Sequence, residues 1–455
     1  MATEKNIIVA LELATTAIRA IAGQRMSDGT LQVLAVAEEN ASNCIRKGVI
    51  DNIDKTTQAI SRVLGQISLS LGKTVRRVYV GLGGQSLHTT LNVVKRPFAE
   101  KTQVTNDMID QLMDTNRGVV YTDSEILEVV PQEYQLGGSR IESEVVGMQV
   151  DQLEARFLNI VARTSLSENI EKCVEAAGCD IAELLITPLA LADTMLPTSE
   201  KRPGCALVDI GADTTTVSIF NKNILRKLVV LPLGGNNVTT DIVNCLSLEQ
   251  DEAEMLKIQH GAPLSANLDP EKNKEIKLSH DRTVDQATLS DIVEARYEEI
   301  LMNVWNQIKT DKEKLTSGII FTGGAAQIKG LPEAFQRYSR TDKQLRISKG
   351  LPSDISTAPG VHISDNGRMN SLLAILLHGD MNCVSTPDPK ADDKRKKEAE
   401  EEARRQAEEQ AKREAEVRKA VEEASKPAEE PKPKKEKKPS KFWKMIKDAL
   451  TDDEV

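Results

Sequence analysis

The residues best suited to chemistry sit in two short turns. Residues 206–220 read Ala-Leu-Val-Asp-Ile-Gly-Ala-Asp-Thr-Thr-Thr-Val-Ser-Ile-Phe. An apolar run carries Asp209 to the end of a strand. A turn built on Gly211 and Ala212 follows, then hydroxyls at Thr214, Thr215 and Thr216, then a second β-branched strand. Small residues let backbone N–H groups approach an anion, hydroxyls add donors, and the carboxylate can hold a water or a hydrated Mg²⁺. A β-hairpin holds phosphate in this way. The competing reading is an ordinary buried hairpin with a polar turn. Near the N-terminus, Glu12-Leu13-Ala14-Thr15-Thr16 repeats the order of acid, small residue and hydroxyls. Two matching hairpins far apart in one chain predict two halves facing one ligand.

The elements that must position these turns follow from periodicity. Residues 6–13, 17–25 and 31–38 read as three strands. Ile60, Val63, Leu64, Ile67 and Leu71 recur at helical spacing, Gly72 closes that helix, and residues 75–82 return as a strand. The Gly81-Leu82-Gly83-Gly84 cluster is followed by a β-branched run instead of a helix start, so it reads as a turn and not a dinucleotide fingerprint. No GxxxxGK[ST] loop occurs. Residues 86–164 are strand-rich around one helix near 106–116 and read as an inserted α/β unit.

Ser165 with Glu168 predicts a capping box for a helix carrying Ile170, Val174 and Ala177 and ended by Gly178. A strand over 181–186 precedes a helix opened by Pro188. Beyond the Asp209 hairpin, a strand over 224–231 runs into Pro232-Leu233-Gly234-Gly235 and a helix through Ile242 and Leu246. Ser247 with Gln250 predicts the cap of a further helix ending at Gly261, on which Glu254 and Lys257 share a face. Taken alone, that pair reads as a solvent-exposed ion pair worth little. Val293, Tyr297, Ile300, Leu301, Val304 and Ile308 form the core stripe of a long helix. A buried strand over 319–322 ends in Gly323-Gly324-Ala325, a turn over which a flat base could slide; a tight strand-to-helix connection competes. An apolar helix over 372–377 closes the folded part.

The chain of 455 residues is long enough for two or more domains with real cores. Its six cysteines form no CxxC pair and its five histidines no metal-ligand spacing, so a reduced cytosolic protein without structural zinc is expected. The net charge of −10 argues against a general nucleic-acid partner. Glu12 and Arg19 interrupt the apolar N-terminus, which therefore reads as paired strands and not as a signal peptide or membrane span.

The C-terminal part differs in kind. Residues 392–424 hold almost no large apolar side chains, while Glu400–Arg404, Glu401–Arg405 and Glu408–Lys412 lie four apart in the favourable order. A solvated single helix is expected, since no apolar heptad supports a coiled coil. Pro427, Pro431, Pro433 and Pro439 then impose an extended linker. In the last segment Phe442, Trp443, Ile446, Ala449 and Leu450 fall on one helical face bordered by Lys441, Lys444 and Lys447, with basic residues 432–438 upstream. An aromatic-tipped face plus a polybasic run gives two weak signals that act together on an anionic leaflet. Docking of the same face onto the globular body is the alternative; the long spacer favours the membrane.

In this order the two hairpins, the GlyGly turn, the Glu/Lys helix and Thr-Gly-Gly-Ala resemble the actin, sugar kinase and Hsp70 superfamily. Within it the chain resembles the bacterial division-protein family FtsA. Residues 133–154 resemble that family's insert, with Gly147-Met148 followed by Leu153-Glu154; residues 232–242 are similar to its PLGGDxxTxDI, and 322–330 to its TGGAAxxxG. The resemblance implies an α/β, actin-like ATPase fold: two lobes around a nucleotide cleft, an inserted subdomain, and a charged tail ending in an amphipathic helix. It implies a first lobe over 1–200 with the insert at 86–164, and a second over 201–359 with a partner-binding subdomain at 236–309. A helix over 360–384 would return to the first lobe, a spacer and linker would occupy 385–439, and a membrane-targeting helix 440–455.

For the ligand it implies ATP with Mg²⁺. Ala14, Thr15, Thr16, Gly211, Ala212, Asp213 and Thr214 would face phosphate, Glu12 and Asp209 the metal, and Gly234, Gly235, Glu254, Lys257, Gly323, Gly324 and Ala325 the adenosine. Implied partners are the tubulin-like division GTPase FtsZ, further copies of the chain in an actin-like protofilament, other division proteins, and an anionic membrane surface. That surface would be touched by Lys441, Phe442, Trp443, Lys444, Ile446, Lys447 and Leu450 at the cytoplasmic face of the division site. Four residues depart from the family pattern: Glu12 in place of Asp, Ala14 and Asp213 in place of Gly, and Thr216 where an Asp often follows. Ala14 loses the positive φ that glycine tolerates, and Asp213 sets a negative charge beside the phosphates, so slow or absent hydrolysis is expected. A soluble sugar or acetate kinase, a chaperone ATPase and a pilus-assembly actin-like protein are the alternatives. The charged spacer and its tip argue against the kinase, and the Phe442-Trp443 helix with the TGGAAxxxG match against the pilus protein.

Overall fold

The structure, a computed structural model, describes residues 6–137, 139–141, 144–264, 275–279, 282–348 and 354–385. The spacer, the Pro/Lys linker and all seven expected membrane-binding residues, Lys441 to Leu450, lie outside the described residues.

The first half opens with an antiparallel meander, β1 (Ile7–Leu13), β2 (Ala17–Arg25) and β3 (Leu31–Asn40). A short hairpin, β4 (Ile45–Arg46) and β5 (Val49–Ile50), leads into α1 (Ile53–Leu71). That helix begins where the Asn52 side chain accepts the Lys55 N–H at 2.9 Å, and it stops at Gly72, whose φ of 61° is left-handed. After β6 (Thr74–Val75), β7 (Arg77–Leu82) runs parallel to β1.

The insert follows: β8 (His88–Gln103), α2 (Asn106–Arg117), β9 (Ser124–Leu136), β10 (Ser139–Ile141) and β11 (Gln149–Arg163). The glycine cluster at 81–84 therefore leads into a strand, as its β-branched sequel requires. Then come α3 (Thr164–Ala176), β12 (Asp180–Ile186), α4 (Thr187–Met195) and α5 (Thr198–Lys201). The capping box expected at Ser165 and Glu168 does not form. The helix starts two residues earlier, with Arg163 at the cap and no side-chain hydrogen bond there.

The second half repeats the first. β13 (Cys205–Ile210), β14 (Thr215–Asn221) and β15 (Ile224–Leu231) are again an antiparallel meander. Next in sequence are α6 (Gly235–Leu246), α7 (Gln250–His260), β16 (Glu275–Lys277), β17 (Thr283–Asp285) and α8 (Gln286–Ile308). β18 (Ile319–Thr322), α9 (Leu331–Ser339), β19 (Leu345–Ile347), β20 (Ile355–Thr357), α10 (Asn370–His378) and β21 (Val384–Ser385) complete the described chain. Ser247 does not cap α7: it ends α6 in a left-handed conformation with φ 50°.

Two large sheets result, ordered β12-β7-β1-β2-β3-β20 and β10-β9-β11-β8-β15-β14-β13-β18-β19, and the pairs β4-β5, β6-β21 and β16-β17 form two-stranded ribbons. In each large sheet, a parallel strand pairs with the first strand of a meander and a second parallel strand flanks it: β7 then β12 beside β1, β18 then β19 beside β13. This equivalence sets the turn β1–β2 and the turn β13–β14 in matching places of the two halves. Alternation along β13 divides the core, Cys205 and Leu207 packing with the first half's side chains while Ala206, Val208 and Ile210 pack with the α8 stripe of Val293, Tyr297, Ile300 and Val304. The insert has its own small core around Leu153, Ala155 and Phe157. It adjoins the second sheet, where His88 pairs with Val229 and the Thr89 hydroxyl accepts the Leu228 N–H at 2.9 Å.

Candidate functional site: a cleft between the two hairpins

The two acid-bearing turns line one cleft with a cavity volume of about 910 Å³. Glu12, Ala14, Thr15 and Thr16 come from the first half, and Asp209, Gly211, Ala212, Asp213, Thr214 and Thr216 from the second. In the first turn the Ala14 N–H donates to the Ala17 carbonyl at 3.1 Å; in the second the Gly211 N–H donates to the Thr214 carbonyl at 2.8 Å. Neither Ala14 nor Gly211 has a positive φ, so the alanine at position 14 carries no backbone penalty, contrary to the expectation. The backbone N–H groups of Thr15, Thr16, Ala212, Asp213 and Thr214 donate to nothing among the described residues. Unpaired backbone donors gathered in a cleft form a ready anion cradle.

The second turn is held from behind by α6. The Gly235 N–H donates to the Gly211 carbonyl at 3.0 Å and the Asn236 N–H to the Ala212 carbonyl at 2.7 Å. Gly234 makes this approach possible, since a Cβ there would lie 2.5 Å from the Ala212 oxygen. Gly234 itself is therefore a packing residue behind the loop and does not line the cleft, whereas Gly235 does.

The two carboxylates expected to face a metal have different partners. Glu12 lies opposite Arg19 in the β1–β2 ladder, and Arg19 bridges it at 3.3 Å to Glu38 at 2.9 Å. Burial raises the Glu12 pKa while Arg19 opposes that rise. The Asp209 carboxylate accepts no hydrogen bond among the described residues. Burial, with the Glu12 charge adding to it, pushes its pKa up from 3.8 to about 7. A buried carboxylate without donors, beside a second carboxylate, suits a divalent cation that usually takes one or two carboxylates and completes its shell with water and phosphate oxygens.

On the far side of the cleft, Lys257 is buried and its Nζ donates to Glu254 at 2.6 Å, to the Thr239 hydroxyl at 2.8 Å and to the Gly235 carbonyl at 3.0 Å. The reading of this pair as solvent-exposed is thus corrected: α6 covers the lysine. Burial lowers the Lys257 pKa, and Glu254 counteracts it. Gly323, Gly324 and Ala325 reach the same cleft. Gly323, at φ 90°, is constrained by Asp209, whose Oδ1 would be 2.3 Å from a Cβ, and not by room for a ligand alone. The Tyr297 hydroxyl donates to the Ala325 carbonyl at 2.7 Å, fixing the last part of that turn.

Sequence reasoning passed over four contributors: Arg19, the Lys47–Gly48 turn, Thr239 and Arg368. Arg19 had a signal, as a cation in an apolar strand opposite Glu12 across a three-residue turn. Arg368, which borders the cleft beside Gly324, follows from tertiary packing alone.

Two duplicated meander sheets that present paired acid-hydroxyl turns to a shared cleft constitute the actin-like ATPase fold. The PilM-PilN type IV pilus biogenesis complex is similar over 81% of this chain and 97% of that one, with a TM-score of 0.58 and 14% identity, which is likeness of fold only. A family model of the cell division protein FtsA matches residues 206–362, and one of the SHS2 domain inserted in FtsA matches 84–161. The FtsA of Porphyromonas gingivalis is 31% identical over 348 residues, 74% of this chain and 72% of that one. That of Escherichia coli K12 is 28% identical over 368 residues, covering 78% and 86%. The chain belongs to the FtsA family of cell division proteins.

Proposed function

We propose that this actin-like division protein binds ATP with Mg²⁺ in the cleft, polymerises, and tethers FtsZ filaments to the inner face of the cytoplasmic membrane. The observation that carries the nucleotide part is the set of five unpaired backbone N–H groups contributed by both hairpins. In this reading Thr15, Thr16 and the 211–214 turn hold phosphates, Glu12 and Asp209 hold the cation, and Lys257 with Glu254, Gly235 and the 323–325 turn hold the adenosine. Mg²⁺ would offset phosphate charge and the charge of the two carboxylates. The 236–309 subdomain is the surface assigned to the FtsZ tail, and the C-terminal Phe442-Trp443 segment is assigned to anionic lipid. No helix among the described residues is long and apolar enough to cross a membrane, so this reading assigns attachment to the tail.

Hydrolysis is slow in this reading, because Thr216 offers only a hydroxyl where the family pattern often has an Asp. Equilibrium dialysis of Mg·ATP against the full chain tests the assignment. Stoichiometric binding is expected, weakened at least tenfold (roughly 1.5 kcal/mol or more) by Lys257→Met, which removes charge-assisted hydrogen bonds. Absence of binding, or a turnover in the ~1–100 s⁻¹ range of kinases, contradicts it.

A further inference from the structure

The β4–β5 turn lies between the two hairpins of the cleft. Its residues Lys47 and Gly48 are both left-handed, with φ 51° and 71°. Successive N–H groups of such a turn point to one side and make a small anion site. Here that site is already engaged by the protein. The Lys47 N–H donates to the Asp213 carboxylate at 3.2 Å, and the Gly48 N–H donates to the Thr15 hydroxyl at 3.2 Å. The other Asp213 oxygen accepts from the Asn236 side chain at 2.7 Å. The turn cannot retreat, because Gly48 is pressed against Gly84: a Cβ on either would come within 2.8 Å of the other's backbone.

From this arrangement we infer that the Asp213 carboxylate occupies the berth of a terminal phosphate, so that the cleft selects a nucleoside diphosphate over the triphosphate. A diphosphate engages the free N–H groups of the hairpins and leaves the contacts of Asp213 intact. A third phosphate reaching the turn must either displace the carboxylate from Lys47 and Asn236 or sit beside it as a like charge in a site of reduced dielectric. Lys47, whose N–H holds the carboxylate, is an exposed residue, and its neighbour Arg46 is held 3.4 Å from Asp51 and is largely exposed, so water screens both cations from Asp213. The selection rests on the nucleotide reading of the cleft and adds to it the length of the phosphate chain.

Calorimetric titration of the full chain with Mg·ADP and with the non-hydrolysable triphosphate Mg·AMPPNP tests this directly. The diphosphate is expected to bind at least about tenfold more tightly, equivalent to about 1.4 kcal/mol. Asp213→Asn keeps an acceptor for the Lys47 N–H but loses the charge, and Asp213→Gly removes the side chain. Both should bring the ratio toward one by tightening triphosphate binding relative to diphosphate binding. Equal or tighter triphosphate binding by the unmodified chain overturns the inference, as does a ratio unmoved in both variants. If neither nucleotide binds the unmodified chain, the nucleotide reading itself falls.

Discussion

Replacing Asp209 with Asn should make the ligand-free protein more stable, not less. Asp209 is a buried acid without a hydrogen-bond donor, facing Glu12, and its pKa is raised from 3.8 to about 7. The folded chain therefore keeps this proton up to about pH 7, whereas the unfolded chain releases it near 3.8. Stability from this group is complete below about pH 4 and is lost as pH climbs to about 7. Were the carboxylate sealed from water, the rise would correspond to about 4 kcal/mol. Asp209 borders the open cleft, and water screens part of that cost, so about 2 kcal/mol is the better expectation. Thermal unfolding at low ionic strength, without divalent cation, should show Asp209→Asn melting a few degrees above the parent at pH 8, with the gap closing as pH approaches 4. Adding Mg²⁺ should raise the parent's midpoint and leave the variant's nearly unchanged. A variant no more stable than the parent at pH 8, with the same pH slope, would refute the argument that Asp209 is an uncompensated charge.

Other substitutions probe the same cleft. Arg19→Met leaves Glu12 buried without its cation and should cost about 3 kcal/mol in urea unfolding, most of it recovered when Glu12→Gln is added. Gly323→Ala combines a left-handed φ with a Cβ 2.3 Å from Asp209, so it should lower the melting point far more than Gly29→Ala. Gly29 has nearly the same φ, 88°, and open space around it, for a cost of about 1–2 kcal/mol.

Much of this fold could be read from the sequence because its signals are local. The alternation in residues 206–220, the stripe from Val293 to Ile308 and the stop at Gly72 each report a period or a turn that neighbours alone determine. The paired hairpins were legible for the same reason, since the acid, the small residue and the hydroxyls lie within a few positions. Capping failed at Ser165 because β11 ends at Arg163 and α3 begins at once with Thr164, which leaves Ser165 inside the helix, and at Ser247 because that residue terminates α6 while α7 opens from Glu249. The burial of Lys257 was hidden because α6 supplies it from another stretch of chain. The satisfied state of Asp213 was hidden too: its donors, Lys47 and Asn236, lie 166 residues before it and 23 after it. The Arg19–Glu12 pair was visible as a cross-turn pattern and was read only as an interruption of an apolar run.

The central claim is that this chain couples division-GTPase filaments to a membrane. Its most direct test is co-sedimentation of purified FtsZ with anionic liposomes in the presence of the full chain or of a chain truncated after Lys438. The account predicts that FtsZ pellets with the vesicles only when the full chain is present. FtsZ pelleting equally with the truncated chain, or failing to pellet with either, would contradict it.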